Sequence, residues 1–448
     1  MGEAIARAVD GANPGLHSRR SAMTAAVLSI GTELTRGELV NSNAAWLGDQ
    51  LTSLGLEVRQ HITVDDDVDR IAAALRFLSE EVQVVVATGG LGPTSDDLTT
   101  AAVARALDVE LVRDAASWEA IQKRYSARGR TPTEMHAKQA DFPRGADVLP
   151  NREGTAPGFA VRRNEARAFF LPGVPREMKA MFEQSVLPAV ADLARRDSYQ
   201  VHVRLFGLPE SDVASRLEEL EGNGITLAFR ASFPEIEVKV HARATTPAEA
   251  EQRAKTAAQR VRDLLGEAVF GDRQDQFAAV IGQHLRDRGL TLAVAESCTG
   301  GMVGSMLTDV PGSSDYLLLD AVTYANSAKT QVLGVGPDVL RGYGAVSSET
   351  ASAMAEGAKR VSGADVGVST TGVAGPGGGT DAKPVGTVWF GLATENGTLT
   401  LRHHFHGDRE QVRMQAAYVA LELVRRFALG RDPANGPASR TCQEVRPV

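Results

Sequence analysis

Residues 24–195 alternate short aliphatic and β-branched runs with helical patterns of apolar residues. The runs 25–30 (AAVLSI) and 82–88 (VQVVVAT) predict buried strands, and the pattern of 43–55 predicts a helix that ends at Gly55. Alternation of this kind favours a parallel sheet with helices on both faces. We therefore predict an α/β domain whose ligands lie beyond the carboxyl ends of the strands.

A different order of elements follows over residues 198–270. Period-two alternation predicts three strands, and apolar residues at helical spacing predict a shorter and a longer helix. In chain order these are a strand at 199–207, a helix at 209–220, strands at 225–231 and 235–244, and a helix at 247–266. The segment has no chemically suggestive cluster of side chains, so we predict a small α+β domain that serves as a spacer or in assembly.

The α/β alternation returns over residues 275–428. A helical pattern at 277–289 leads into an apolar strand at 290–295, and the alternating segments 385–394 and 398–408 predict paired strands. A long amphipathic helix closes the region. The predicted fold class is therefore α/β, with two α/β domains joined by a small α+β domain.

The two ends of the chain lack a periodic hydrophobic pattern. Residues 1–22 carry scattered charges without the apolar stretch of a secretory signal, and residues 429–448 are rich in proline, glycine and polar side chains. We predict that both segments are disordered. Met23 directly precedes the first strand, so the sequence is compatible with translation from Met1 or from Met23.

Charge and cysteine content narrow the classes of function. The 448 residues carry 48 basic and 56 acidic side chains, a net charge of −8, without the long basic stripe that direct nucleic-acid binding favours. The apolar runs fall short of the ~20 residues that span a bilayer, so no membrane partner is expected. Two cysteines make no disulfide framework, and a cytoplasmic location is expected.

A glycine-rich loop in the first domain is a candidate anion site. The segment TGGLGPTSDD, 88–97, contains Gly90, whose backbone can approach an anion closely, and ends in Asp96 and Asp97. Two adjacent carboxylates can hold a divalent cation against a diphosphate, or one of them can simply cap a helix that begins at Leu98. Polar candidates on the neighbouring loop are Glu33, Asn41 and Asn43.

Two patterns in the third region allow either a ligand or a structural role. The segment TTGVAGPGGGTD, 370–381, is either a second anion cradle or a flexible loop, because so many glycines permit unusual backbone angles. His403, His404 and His406 suggest metal ligands, but the sequence supplies no acidic or cysteine partner for them. A structural role for the three histidines is therefore favoured.

The segment AESCTGG, 295–301, follows an apolar strand pattern and precedes a helix. Cys298 would suit a nucleophile at such a turn, but the sequence gives it no clear base, and cysteine is commonly a small buried residue. Hydroxyl candidates nearby are Ser297, Thr299, Ser313 and Ser314. A desolvated Lys329 could activate a serine without histidine or metal, although spacing only permits this pairing.

Further motifs accompany the segments TGGLGPTSDD and AESCTGG in the two α/β domains. In the first domain they are GTELTRGELVNSNAAWL, GTAPGF and LPGVPREMKAMF, and in the third they are VPGSS, VTYANSAK, GAVSSETA, GPGGGTDAKPVGTVWFG and GDRE. Together they resemble the CinA (competence/damage-inducible) family, from about Ala26 to Phe427 and in family order. The first domain resembles its N-terminal domain, related to the molybdopterin-binding fold, and the third resembles its nicotinamide-nucleotide amidohydrolase domain.

For the C-terminal domain, the resemblance implies hydrolysis of nicotinamide mononucleotide (NMN) to nicotinate mononucleotide and ammonia in pyridine nucleotide salvage. It implies that Ser314 is the nucleophile, Lys329 the general base and Tyr324 a residue that orders this pair, while Cys298 is a structural neighbour. No metal or cofactor is expected there. The substrate-binding positions that it implies are Ser297, Thr299, Gly300, Thr371, Gly372, Gly375 and Arg409.

For the N-terminal domain, the resemblance implies a metal-dependent ADP-ribose pyrophosphatase, with Mg²⁺ or Co²⁺ held among Glu33, Asn41, Gly90, Asp96 and Asp97. The expected partners are pyridine nucleotides, ADP-ribose and a second copy of the chain in a homodimer. The alternative is a non-catalytic nucleotide-binding or sensor protein linked to competence or DNA damage.

Three positions depart from the family pattern. Asp320 stands where glycine or another small residue is expected ahead of VTY, and Ser327 stands where a glutamate is common. Arg152 and Glu153 replace a proline-valine pair. The departures change the surroundings of the proposed catalytic groups and leave those groups in place.

Overall fold

The computed structural model describes residues 23–191 and 198–437, together with the backbone of 442–447. The chain divides into two compact units, Met1–Tyr199 and Gln200–Val448. The segment 1–22, for which the sequence predicts disorder, lies outside the described residues. Among the helices described, none is both long enough and apolar enough to cross a membrane.

The first unit contains a six-stranded sheet in the order β2-β1-β3-β8-β7-β6. Strands β2, β1, β3 and β8 run parallel, and β7 and β6 are antiparallel to their neighbours. The elements are β1 (Thr24–Ile30), α1 (Thr32–Thr35), α2 (Ser42–Ser53), β2 (Glu57–Val64), α3 (Val68–Glu81), β3 (Val84–Thr88), α4 (Thr99–Leu107), β4 (Leu111–Arg113), α5 (Ala115–Ser126), α6 (Glu134–Ala137), β5 (Asp141–Pro143), β6 (Asp147–Leu149), β7 (Gly158–Arg163), β8 (Ala166–Leu171), α7 (Pro175–Met181) and α8 (Leu187–Val190).

Strand β1 is buried on both faces, which explains its continuous apolar sequence. Leu28 belongs to the core beneath α3, with Leu75, whereas Val27 belongs to the core beneath α2, with Leu51. Successive side chains of a strand point to opposite faces, so one short apolar run supplies two cores. The loops that follow β1, β3 and β8 therefore meet at one edge of the sheet.

The second unit contains two sheets, β10-β11-β9-β12 and β14-β13-β15-β16-β17-β18. In the larger sheet β14, β13 and β15 are parallel, and the remaining strands are antiparallel. The elements are β9 (Ser198–Phe206), α9 (Glu210–Leu217), β10 (Ile225–Ser232), β11 (Glu235–Arg243), α10 (Pro247–Leu265), β12 (Val269–Gly271), α11 (Phe277–Asp287), β13 (Leu292–Glu296), α12 (Met302–Thr308), β14 (Leu317–Val322), α13 (Asn326–Leu333), α14 (Pro337–Tyr343), α15 (Ser348–Ser362), β15 (Val366–Gly372), β16 (Thr387–Thr394), β17 (Gly397–His404), α16 (Arg409–Ala428) and β18 (Cys442–Pro447).

Strand β13 has the same double burial as β1 and leads directly into AESCTGG. Val294 joins the core formed with α11 and α16, and Ala293 and Ala295 join the core formed with Leu333 and Met354 on the opposite face. The predicted fold class, two α/β domains with a small α+β domain between them, is confirmed. The predicted pairing of 385–394 with 398–408 corresponds to the antiparallel β16–β17 ladder.

The predicted disorder of 429–448 is wrong for the part that the structure describes. The chain forms a 3₁₀ turn at Pro433–Asn435 and then strand β18, whose backbone pairs with β17 from Leu399–Pro447 to His403–Cys442. An added edge strand gains its hydrogen bonds from the backbone, so it does not need an apolar pattern. A polar sequence therefore gave no sign of this strand.

Candidate active site

A pocket of about 290 Å³ lies where the parallel strands β13 and β15 end. The first residues after β13, Ser297 and Cys298, line it from one side, and Thr371 and Gly372 line it at the end of β15. The rest of its lining is Tyr324, Lys329, Ala345, Val346, Val373, Ala374, Gly375, Gly377, Gly378 and Arg409. The carboxyl edge of parallel strands is where α/β domains bind ligands, as the sequence predicts.

Lys329 is the most unusual side chain in this pocket, because its residue is only 1% exposed. Its Nζ lies 3.0 Å from Ser297 Oγ, 2.7 Å from the carbonyl oxygen of Thr323 and 3.2 Å from that of Tyr324. Burial lowers the pKa of Lys329, since an ammonium group loses its hydration there. A neutral amine would donate its two protons to the two carbonyls and direct its lone pair at Ser297 Oγ.

The turn that carries Ser297 is held by its backbone. Ser297 N donates to the carbonyl oxygen of Thr370 at 3.0 Å, and Gly300 and Gly301 have φ of 62° and 91°. Only glycine adopts such angles without strain, so the pair of glycines in AESCTGG lets the strand turn sharply into α12. These features set the position of Ser297 at the end of β13.

Cys298 faces a different environment from Ser297. Its thiol is buried, and burial raises the pKa of Cys298 to about 12, with the charge of Glu296 adding to the effect. A thiol is nucleophilic as a thiolate, which is negligible at neutral pH with this pKa. This raised pKa disfavours Cys298 as the nucleophile.

The predicted pair of Ser314 and Lys329 is not formed. Ser314 lies on an exposed 3₁₀ turn, Ser313–Asp315, and it is absent from the pocket lining in the described part of the chain. The turn precedes β14, whereas the pocket follows the carboxyl ends of the parallel strands. The length of β14 separates the two edges by about 20 Å, at roughly 3.3 Å per residue. The serine beside Lys329 is Ser297, which the sequence interpretation assigned to substrate binding.

Arg409 and Tyr324 border the pocket together. Arg409 Nη1 donates to the carbonyl oxygen of Gly375 at 2.7 Å, and its Nη2 donates to Tyr324 Oη at 3.2 Å. The guanidinium has five N–H donors, so others remain for an anion. The Tyr324 side chain orders Arg409, whereas its carbonyl oxygen contacts Lys329.

Of the predicted substrate-binding residues, five line the pocket: Ser297, Thr371, Gly372, Gly375 and Arg409. Thr371 Oγ1 already donates to the carbonyl oxygen of Ala345 at 2.6 Å. Thr299 and Gly300 are not among the residues that line this pocket in the described part of the chain, and Gly300 is exposed. Thr299 is fully buried, with Oγ1 2.7 Å from Thr370 Oγ1, and its carbonyl oxygen accepts two bonds from Arg413.

The three histidines of β17 and its following loop differ in exposure: His403 is buried, His404 is half-buried and His406 is exposed. His403 is buried, its ring stacks on Phe405 at 5.4 Å, and burial lowers its pKa to about 4. In the described segments, no group of three or more His, Cys, Asp or Glu side chains is arranged to hold a metal ion. These contacts account for His403 as part of the core.

A second pocket, of about 620 Å³, lies in the first unit at the carboxyl edge of its parallel strands. All five residues predicted there line it: Glu33, Asn41, Gly90, Asp96 and Asp97. Asn43 and Gln139 also line it, and the Asn43 side chain donates to the carbonyl oxygen of Gly173 at 2.7 Å.

The alternative role of Asp96 or Asp97 as a helix cap does not apply. Helix α4 has Leu98 at its N-cap without a side-chain capping bond. Asp97 instead accepts from Thr94 N at 2.8 Å and from Thr94 Oγ1 at 2.6 Å, which fixes the loop before the helix. Mg²⁺ commonly takes one or two protein carboxylates and completes its shell with phosphate and water, so these carboxylates fit a cation bound with a diphosphate.

Three family profiles match successive parts of the chain. They are a probable molybdopterin binding domain at 26–192, the damage-inducible protein CinA KH domain at 200–271 and the CinA C-terminal domain at 274–428.

Similar full-length relatives include CinA-like proteins from two bacteria. The protein from Anaeromyxobacter dehalogenans is 45% identical over 408 residues, covering 90% of this chain and 99% of its own length. That from Geobacter sulfurreducens is 42% identical over 413 residues, covering 91% and 100%. A crystal structure of CinA from Thermoplasma acidophilum is 36% identical and covers 38% of this chain and 98% of its own, with a TM-score of 0.36.

Proposed function

The chain belongs to the CinA family, and we propose that its C-terminal domain hydrolyses the carboxamide of NMN to give nicotinate mononucleotide and ammonia. The observation that carries this proposal is the buried Lys329 Nζ, 3.0 Å from Ser297 Oγ, in a pocket that Arg409 also lines. A serine activated by a neutral lysine suits acyl transfer from an amide, and it needs neither a metal nor a cofactor.

The reaction would proceed in two acyl-transfer steps. Ser297 Oγ attacks the carboxamide carbon while Lys329 Nζ takes its proton, and the resulting ammonium returns that proton to the departing ammonia. Water then attacks the nicotinoyl ester, Lys329 takes a proton from the water, and Ser297 is regenerated. Amide nitrogen leaves as ammonia, and the carboxylate oxygen comes from water.

The lining of the pocket suggests how the substrate is held. Arg409 would bind the phosphate through the N–H groups that Gly375 and Tyr324 do not occupy. The hydroxyl proton of Thr371 already goes to the carbonyl oxygen of Ala345, so backbone N–H groups of the glycine-rich lining are better suited to the oxyanion. Tyr324, which is 63% exposed, would act by orienting Arg409.

The test is ammonia release from NMN in EDTA by the parent chain and three variants. Ser297→Ala should abolish turnover, with a loss of the size seen for catalytic serines, about 10⁶-fold. Cys298→Ala should remain active because the Cys298 thiol is protonated at neutral pH. Ser314→Ala should remain active because the Ser314 hydroxyl lies outside the pocket. An active Ser297→Ala chain, with an inactive Ser314→Ala chain, would contradict the assignment.

A non-catalytic nucleotide sensor is distinguished by the same assay. Such a protein would bind NMN with no ammonia released at any pH. Turnover that persists in EDTA and disappears in Ser297→Ala would exclude the sensor interpretation for this domain.

For the N-terminal domain we propose hydrolysis of the diphosphate of ADP-ribose, supported by the shared pocket of Glu33, Asp96, Asp97 and the glycine loop at Gly90. One or two of these carboxylates would hold Mg²⁺ or Co²⁺ together with the diphosphate and water, and the ion would supply positive charge to the diphosphate. Metal-stimulated AMP release should fall at least about tenfold in Asp96→Asn and Glu33→Gln and persist in Glu38→Gln, an exposed residue outside the pocket. AMP release that is equal with and without metal would contradict this proposal.

A further inference from the structure

Glu296 lies directly beneath the turn that carries Ser297. The residue is fully buried, yet both of its carboxylate oxygens accept backbone hydrogen bonds. Gly301 N donates to Oε2 at 2.8 Å, and Gly304 N donates to Oε1 at 2.9 Å. Glu296 therefore ties the start of α12, at Gly301 and Gly304, to the end of β13.

Asp320 brings a second carboxyl group to the same place. It lies on the edge strand β14, opposite Val294, and its carboxyl meets that of Glu296 beside Gly304, whose N–H donates to Glu296. The carboxyl also rests against the backbone of Gly304, where an added methyl group would overlap it. Because Glu296 acts as an acceptor, the hydrogen bond between the two carboxyls needs a proton on Asp320.

The surroundings of Asp320 favour that protonated form. Asp320 is exposed as a whole residue, but its carboxyl lies against the backbone of Gly304, and the partial loss of hydration there, together with the charge of Glu296 and a hydrogen bond to it, raises the pKa of Asp320 to about 7. From β13 the titratable group that faces Asp320 is Glu296, and from α12 the facing residue is Gly304. Helix α15 also packs on β14, but in the described residues none of its charged side chains acts on this carboxyl.

We propose that Asp320 is a positioning residue for the Ser297 nucleophile, a role that rests on the proposed function. Its carboxyl donates to Glu296, and the pair holds the segment 297–304 so that Ser297 Oγ stays against Lys329 Nζ. Two neighbouring carboxylates that are both charged repel each other, which raises the free energy of the folded protein. Ionisation of Asp320 therefore loosens the turn from Glu296 and withdraws Ser297 from Lys329.

The pH dependence follows from the raised pKa of Asp320. Below about pH 7 the pair shares one proton and the turn is held. The proton on Asp320 stabilises the folded protein, because the folded protein keeps this proton up to about pH 7 whereas the unfolded chain releases it with a pKa of 3.8. This contribution to the free energy of unfolding is lost as the pH rises through the folded pKa of Asp320. Deprotonation of Lys329 has the opposite effect on activity, since Lys329 can act as a base only when it has lost its proton. Amide hydrolysis should therefore rise with pH and then fall on an alkaline limb that belongs to Asp320.

Cys298 gives a measurement that does not depend on catalysis. It lies within the turn, and Cys442→Ser would leave it as the remaining cysteine of the chain. We expect its alkylation by iodoacetamide at about pH 8.5 to be about tenfold slower in Asp320→Asn than in the parent, and equal at about pH 6. The asparagine amide donates to Glu296 at every pH, so the turn stays closed. Asp309→Asn, an exposed residue at the end of α12, should label like the parent.

The activity assay completes the test. In Asp320→Asn the alkaline limb of kcat/KM for NMN should disappear, whereas Asp309→Asn should keep it. Gly304→Ala serves as a second variant, because its methyl group displaces the Asp320 carboxyl and should increase Cys298 labelling at both pH values. Equal labelling of parent and Asp320→Asn at high pH, or an unchanged alkaline limb, overturns the proposal. Labelling that differs as expected without NMN turnover in any variant supports the role of Asp320 in holding the turn and contradicts the proposed function instead.

Discussion

At the scale of single residues, the position of a side chain relative to the sheet decides its role. Ser297 and Ser314 are both hydroxyls near Lys329 in sequence, and a motif alone does not choose between them. Ser297 follows a parallel strand and Ser314 precedes one. The rule that ligands bind beyond the carboxyl ends of such strands selects Ser297. The order of strands along the sequence therefore already favoured Ser297. The 3.0 Å contact between Ser297 Oγ and Lys329 Nζ, however, is visible only in the folded structure.

The buried Lys329 leads to a prediction at this same scale. Lys329→Met keeps most of the side-chain volume and removes the amine, so amide hydrolysis should fall by the ~10²–10⁴-fold that general bases contribute. Because burial lowers the pKa of Lys329, the folded protein holds this proton less tightly than the unfolded chain does, and its stability should rise with pH between the folded pKa and the unfolded value near 10.4. That rise, with a slope of at most about 1.4 kcal/mol per pH unit, should be absent in Lys329→Met.

Urea unfolding at a series of pH values above 7 checks this prediction. The exposed Lys255→Met is the matched control, because it removes the same charge from the surface of α10 and should keep the rise. An identical pH dependence in Lys329→Met and the parent would mean that Lys329 remains charged in the folded state. It could not then act as the base for Ser297.

At the scale of elements, the patterns that depend on burial were predictable and the patterns that depend on the backbone were not. Strands β1 and β13 have continuous apolar sequences because helices cover both of their faces. Strand β18 gives no such pattern, since its pairing with β17 needs only backbone groups. The same distinction applies to the turn after β13, where the role of Gly300 and Gly301 is a backbone angle rather than a ligand contact.

At the scale of the whole molecule, the small domain and the C-terminal domain share one compact unit. Phe206 from β9 packs against Phe277 of α11 and Tyr418 of α16, with ring centroids 5.5 and 5.2 Å away, and Phe277 and Tyr418 are stacked. Tyr418 Oη donates to Glu235 Oε1 at 2.7 Å, and Glu235 is also paired with Arg204. The sequence did not predict these contacts, because a contact between distant elements leaves no local pattern.

This junction should depend on the hydroxyl of Tyr418. Tyr418→Phe keeps the stacked ring and removes one donor to the buried Glu235, a hydrogen bond to a charged group that contributes about 1.5–3 kcal/mol. Hydrogen exchange should become faster in peptides from both β11 and α16, because the lost bond joins the two elements. The exposed Tyr343→Phe is the control and should leave exchange in those peptides unchanged. Faster exchange in α16 alone would mean that the aromatic stacking, rather than the Tyr418–Glu235 bond, holds the small domain to the C-terminal domain.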